Sequence, residues 1–343
     1  MFVGYFNGAR CEISQLAENH SSLITGYPGT GKTTQLNKIE LEAAKAGSTV
    51  IVIDLHQTHT EDKIFSPLFA EYCLYTNRIH ALKDGLNVTL LKAMYNKDGE
   101  KEPFFSTVNS AVTSLSSLQN FGPMQIGALR TAICKAIQTR SSFKTESEAI
   151  AFHLLQSDDA IAHGVYQRLW TLLNCGVLRP SSVKVQPGKI NIFDFSGIDH
   201  MTQAILAEII LSNLWRSVCF ASTPSLQNGT LVVLDELQNL SCANNSTLAV
   251  LLCEGRKFGI NLALATQTLN RFSKESRLIL GQVGTRLYFR PSPFDIIGVS
   301  KEIANYTGLN LQNELSSLQK GECIALGSFC VNGNNITRPI LLK

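Results

Sequence analysis

The segment Gly26-Tyr27-Pro28-Gly29-Thr30-Gly31-Lys32-Thr33 constrains this chain more than any other. It fits G-x-x-x-x-G-K-[ST] at every fixed position. A loop of this kind must curl so that successive backbone N–H groups point inward at phosphate oxygens. A Cβ at the glycine positions obstructs that approach. A short apolar strand, Ser22 to Thr25, precedes it, and a helix from about Lys32 to Ala46, ended by Gly47, follows. The helix N-terminus adds partial positive charge. Gly26, Pro28, Gly29, Thr30, Gly31, Lys32, Thr33 and Thr34 are therefore the expected nucleotide-binding residues. Lys32 is expected to reach the β- and γ-phosphates and Thr33 to ligate Mg²⁺, which makes ATP and Mg²⁺ the expected cofactors.

A second motif supports the first. In Thr230-Leu231-Val232-Val233-Leu234-Asp235-Glu236, four apolar residues feed two acids. Carboxylates at the carboxyl end of a buried strand face the crevice where open α/β sheets bind ligands. Asp235 is the expected Mg²⁺ partner and Glu236 the residue that orients and deprotonates an attacking water. Further strands are read at Thr49 to Ile53, Lys189 to Asp194, Asn261 to Ala265 and Arg286 to Phe289, with helices at Gln203 to Val218 and Leu248 to Phe258. Cys323 to Leu326 and Ile336 to Leu342 read as a closing β pair around the Asn332-Gly333-Asn334 turn. Residues 105–180 have helical spacing and little β character, and read as a mostly helical insertion. Lys97 to Pro103 reads as a solvated loop leading into it. The alternation implies an α/β fold with a mainly parallel sheet, taken as one domain over residues 1–343.

The block Glu254-Gly255-Arg256-Lys257-Phe258-Gly259-Ile260-Asn261-Leu262-Ala263-Leu264-Ala265-Thr266-Gln267 resembles the HerA–FtsK superfamily of P-loop translocating ATPases, most closely its HerA-like branch. Weaker matches are Gly284 to Arg290, Ile190 to Gly197, Gly321 to Ala325 and Arg338-Pro339. The resemblance implies a RecA-like P-loop NTPase domain. It implies that Gln267 senses the γ-phosphate and that Arg256 reaches the ATP of a neighbouring subunit, with Arg286 and Arg290 as alternatives. It further implies a homo-oligomer, a hexamer, that moves DNA. Two departures stand out. HerA proteins usually carry a β-barrel before the phosphate loop, and only 25 residues precede Gly26, so that barrel is expected to be absent or vestigial. The family's Asp-x-His-Gly-Glu is Asp54-Leu55-His56-Gln57-Thr58 here, without the glycine and the acid. His56 and His59 are read as part of a polar loop near the nucleotide rather than as metal ligands.

Composition narrows the partners. Net charge is +3, so a DNA-binding surface must be local. Arg271, Lys274 and Arg277, just beyond Gln267, are the candidate cations. Cys11, Cys73, Cys134, Cys175, Cys219, Cys242, Cys253, Cys323 and Cys330 show no C-x-x-C spacing, and free, mostly buried thiols are expected. No apolar run is long enough to span a bilayer, and no signal peptide is recognised, so a cytoplasmic location is expected. Three functions stay open: a DNA translocase beside a nuclease or other effector, as in DNA processing or anti-phage defence; a secretion- or conjugation-type ATPase; and an ATP-dependent assembly scaffold.

Overall fold

Apolar runs without alternation form the centre of the fold, because strands covered on both faces need apolar residues at every position. The computed structural model describes residues 1–60, 63–64, 66–220, 229–244 and 246–343. The chain begins with β1 (Phe2–Phe6), β2 (Ala9–Ile13), β3 (Ser22–Thr25), α1 (Lys32–Lys45), β4 (Thr49–Asp54), α2 (Ser66–Tyr75), β5 (Thr76–His80) and α3 (Ala81–Asp84). Four helices follow: α4 (Phe104–Ser116), α5 (Pro123–Thr139), α6 (Glu146–Leu155) and α7 (Ala160–Asn174). Alternation resumes with β6 (Ile190–Asp194), α8 (His200–Cys219), β7 (Thr230–Leu234), α9 (Thr247–Glu254), β8 (Ile260–Thr266), α10 (Lys274–Leu280) and β9 (Thr285–Phe289). The chain closes with α11 (Ile296–Thr307), α12 (Gln312–Ser317), β10 (Cys323–Leu326), β11 (Phe329–Val331), β12 (Asn334–Ile336) and β13 (Ile340–Leu342).

The main sheet has nine strands in the order β13-β10-β9-β3-β8-β7-β4-β6-β5. From β9 to β5 every pairing is parallel, while β10 and β13 run antiparallel at one edge. Successive residues of one strand serve opposite cores: Val50 and Val52 lie in the core with α1, and Ile51 and Ile53 in the core with α8 and the α4–α7 helices. The α4–α7 helices are delimited by local chemistry. Thr145 caps α6 by accepting from the Glu148 amide at 3.1 Å, and Asp159 caps α7 by accepting from the Ile161 amide at 2.8 Å. A smaller core under α11 and α12 covers the outer face of β9 and β10 through Tyr288, Ile303, Leu315 and Ile324.

A second sheet, β1-β2-β11-β12, is antiparallel throughout and joins the two ends of the chain. The tail expectation changes accordingly. The Asn332-Gly333 turn joins β11 to β12, whereas β10 pairs with β13 in the main sheet. Gly327, at φ 148°, takes the chain out of the main sheet after β10, where a Cβ would lie 2.8 Å from the Gly284 carbonyl oxygen. The helix expected to reach Phe258 stops at Glu254, and Gly255–Phe258 tighten into a 3₁₀ turn that ends on left-handed Gly259. Glu102, read as part of a solvated loop, is buried and paired with Arg216 at 2.6 Å. All nine cysteines are free, yet only Cys11, Cys242 and Cys323 are buried. Among the described residues no helix is long and apolar enough to cross a membrane.

Gly284 is a tight point of the frame. A Cβ there would sit 1.9 Å from the Asn19 carbonyl oxygen, on the segment leading into β3. Gly284→Ala is expected to destabilise the fold by about 3 kcal/mol, the upper range for overpacking. Urea denaturation at equilibrium checks this, and an unchanged midpoint would refute it.

Candidate nucleotide site

The carboxyl ends of β3, β7 and β8 meet at one edge of the sheet, because parallel pairing sets Thr25 beside Thr266 and Leu234 beside Leu264. The phosphate loop leaves β3 there. Gly26, Gly29 and Gly31 all have positive φ, and a Cβ on Gly26 would fall 2.6 Å from Cβ of Phe289. The loop is pinned from outside. The Tyr27 amide donates to the Arg290 carbonyl at 2.9 Å, and the Gly321 amide donates to the Thr30 carbonyl at 2.8 Å. Gly31 opens α1 without a side-chain cap. The first-turn amides of Lys32, Thr33 and Thr34 therefore have no intrahelical partner. Lys32 Nζ lies across the loop and donates to the Gly26 and Tyr27 carbonyls at 2.7 and 3.1 Å. Burial lowers its pKa, while Asp235 and Glu236 pull the other way.

The Thr33 hydroxyl donates to Asp235 Oδ2 at 3.1 Å. Asp235 is buried. That burial, with Glu236 beside it, raises its pKa, while the His59 charge, the Thr33 hydroxyl and the Glu236 amide oppose the rise. A cation held between Thr33 and Asp235 would offset the cost of burying the carboxylate. The glycine cradle, the free helix N-terminus, Lys32 and this buried hydroxyl–carboxylate pair fit a nucleotide triphosphate with Mg²⁺.

Glu236 adopts φ 60°, ψ 49°, a left-handed conformation uncommon for a residue with a Cβ, as the chain turns away from β7. Gln267 Nε2 donates to both carboxylate oxygens at 2.9 and 3.1 Å. Gln238 Nε2 donates to the same carboxylate, and its own Oε1 accepts from the Thr266 hydroxyl at 2.8 Å. Sequence reasoning missed Gln238; its position two residues after the acid pair, inside a 3₁₀ turn, was the available signal. The structure thus brings together Lys32, Thr33, Asp235, Glu236 and Gln267.

Arg256 stands apart. It precedes β8, whose far end carries Gln267, so seven strand residues at about 3.3 Å each separate the two. Its guanidinium donates to the Glu18 carbonyl. Within one subunit it cannot touch the acid pair. Arg286 is buried, donates to the Gly281 carbonyl at 2.7 Å and lies over the Tyr306 ring, so it is not free to reach a neighbour. Arg290 is exposed beside the loop.

No family model matches the sequence, and no curated protein matches it. Solved structures do. VirB4 of Thermoanaerobacter pseudethanolicus superposes with a TM-score of 0.73 at 14% identity, covering 100% of this chain and 96% of that one. The bacterial conjugative coupling protein TrwB gives 0.64 at 13% identity, covering 99% and 88%. The chain shares the P-loop ATPase fold of VirB4 and TrwB over nearly its whole length. TrwB in complex with ADP and Mg²⁺ shares this P-loop ATPase fold with a TM-score of 0.63 at 12% identity, covering 96% of this chain and 86% of that one.

Next to the site the loop after β4 departs from the expectation of a polar loop. His56 is exposed, accepts at Nε2 from the Asn239 side-chain amide at 2.8 Å and packs against His200. His59 is instead fully buried, 3.1 Å from Glu40 Oε1 and 3.4 Å from Asp54 Oδ2. Among the described residues no group of three or more His, Cys, Asp or Glu is placed to hold a metal ion. Burial lowers the His59 pKa, but Glu40 and Asp54 overcome it and hold the value at about 10. This raised pKa stabilises the fold fully below about 6.5, the unfolded value, and the contribution is lost as pH rises through the folded value. The melting-temperature gap between the wild type and His59→Gln is therefore expected to shrink from pH 6.5 to pH 10. A gap that is flat or widens over that range would contradict an imidazolium at this position.

Proposed function

We propose that this chain hydrolyses ATP with Mg²⁺ and uses the cycle to move DNA through a ring-shaped oligomer, a hexamer. The observation that carries the hydrolytic part is convergence: the phosphate loop, a hydroxyl–carboxylate pair and a carboxylate held by an amide meet at one sheet edge. Lys32 binds and orients the phosphates. Thr33 and Asp235 hold Mg²⁺, which when bound neutralises charge on the β- and γ-phosphates. Glu236 takes the proton of the attacking water. Gln267, a neutral amide, holds Glu236 and can exchange that contact for one with water or phosphate. Arg256 serves the neighbouring subunit's site, because its place across the sheet excludes its own.

The DNA part rests on charge. Lys274, Arg277 and Lys301 line a cavity of about 570 Å³ that also has Gly26 and Gln267 in its wall. Arg271 is exposed at the same end. Cations on a segment joined to the γ-phosphate sensor can move when phosphate leaves. The secretion and conjugation reading gains from the fold shared with the conjugative coupling protein TrwB, and predicts dependence on membrane partners. The assembly scaffold remains the non-motor alternative. A nuclease or other effector partner and a role in anti-phage defence find no support in the fold.

Glu236→Gln is expected to retain ATP but slow turnover about 100-fold or more, in the range of a lost general base. Lys32→Ala should weaken ATP binding itself. Wild-type turnover by Glu236→Gln would remove Glu236 from the mechanism.

Arg256→Ala should bind ATP normally and hydrolyse it poorly. Mixing it with Lys32→Ala subunits creates some boundaries with both parts intact, so partial activity should return. A fully active monomer would refute catalysis between subunits.

Duplex DNA is expected to stimulate the ATPase, with binding that weakens steeply in salt as condensed counterions are released, and with little sequence preference. Replacing Arg271, Lys274 and Arg277 by Ala should reduce the stimulation and leave basal hydrolysis intact. If DNA neither binds at low salt nor stimulates the wild type, the scaffold reading takes over.

A further inference from the structure

Beneath the nucleotide site lies a charged cluster that hydrolysis does not use. Glu40, His59 and Tyr72 are 0% exposed and Asp54 is 2% exposed. The cluster joins four elements. Glu40 is on α1, Asp54 ends β4, Tyr72 is on α2, and Arg78 is on β5. Tyr72 donates its hydroxyl to Glu40 Oε2, opposite the oxygen facing His59. Asp54 fixes the loop that carries His59, accepting from the Thr58 amide at 2.8 Å and the His59 amide at 3.1 Å. Arg78 donates to the His59 carbonyl and reaches Asp194 at 3.2 Å. Gln57, at φ 54°, supplies the left-handed turn that folds His59 inward.

Position on the helix gives the cluster its meaning. Glu40 follows Thr33 by seven residues, two turns along the same face of α1 and roughly 10 Å lower. Thr33 meets Asp235 on β7 at the top of that face, and β7 pairs with β4 in register, Leu234 beside Ile53. Any shift of α1 against β4 therefore moves Thr33 against Asp235. A buried ion pair adds little net stability over apolar packing, but it tolerates only a narrow geometry.

We propose that the Glu40–His59 ion pair is a positioning device for the magnesium ligands, setting the height and rotation of α1 against β4 so that Thr33 meets Asp235. The inference rests on the ATPase reading. It also gives a role to the altered segment after Asp54, in which His59 supplies a fully buried cation.

The test uses the full chain and three readouts: binding of a fluorescent ATP analogue in EDTA, the further rise in melting temperature when Mg²⁺ is titrated into the ATP-bound protein, and steady-state turnover. His59→Gln leaves Glu40 and Asp54 without a cation and is at risk of not folding. Glu40→Gln/His59→Gln removes one charge of each sign, keeps the volume, and serves as the second variant. The expected result is unchanged nucleotide binding in EDTA, an increase of about 10-fold in the Mg²⁺ needed for half-maximal stabilisation, and a fall in kcat with KM for ATP unchanged. Lower melting temperatures with the Mg²⁺ requirement and kcat unchanged would overturn the positioning role and leave the ATPase reading intact. A wild type that shows no response to Mg²⁺ and ATP would overturn both.

Discussion

The register of parallel strands is the constraint on which the rest of the molecule depends. A parallel ladder sends every strand out at the same edge. Here β7 is fixed between β4 and β8, with Leu234 beside both Ile53 and Leu264. Asp54, Asp235 and Thr266 therefore emerge at similar heights. β3 adds the phosphate loop at that edge because Thr25 pairs with Thr266. A slip of one residue in any of these ladders would turn side chains to the opposite face and separate Thr33 from Asp235.

Charge is then placed where apolar packing alone would cost less. Asp235, Lys32, Glu40, Asp54 and His59 are all buried within the layer between α1 and the sheet edge. Each is acceptable because another group answers it: Thr33 for Asp235, loop carbonyls for Lys32, and His59 for both Glu40 and Asp54. The opposite face of the sheet is largely apolar, built from α8, α9 and the α4–α7 helices, with Glu208 and the Glu102–Arg216 pair as its buried charged groups. The polar layer and the apolar layer divide the work, one holding phosphate chemistry and the other holding the sheet.

What the sequence disclosed follows from which forces are local. Parallel strands such as Thr49–Asp54 and Thr230–Leu234 are continuous β-branched or apolar runs, so they were readable at once. The phosphate loop was readable because its glycine spacing is imposed by backbone geometry. β5, Thr-Asn-Arg-Ile-His, was not, since its polar residues are satisfied only by distant partners: Asn77 by Asn191 and Arg78 by Asp194. β1 and β2 were missed for the same reason, because β2 finds its outer partner in β11, more than three hundred residues away. Glu102 looked solvated because nothing nearby in sequence marks Arg216 as its partner. The arrangement of Gln238 and Gln267 around one carboxylate needed the sheet to be assembled first.

The shared sheet at the two ends of the chain has a consequence for synthesis. Lys343 and Tyr5 exchange backbone hydrogen bonds at 3.0 and 3.2 Å, and Gly321 holds the carbonyl of Thr30. A ribosome makes the phosphate-loop residues well before Arg290 and Gly321, whose backbone groups hold the loop. Contacts this distant in sequence form slowly, since loop closure precedes any gain from pairing. A nascent chain that has not yet reached Gly321 therefore carries the nucleotide-binding sequence without its full geometry, and the site is completed only after residues nearly three hundred positions downstream have emerged.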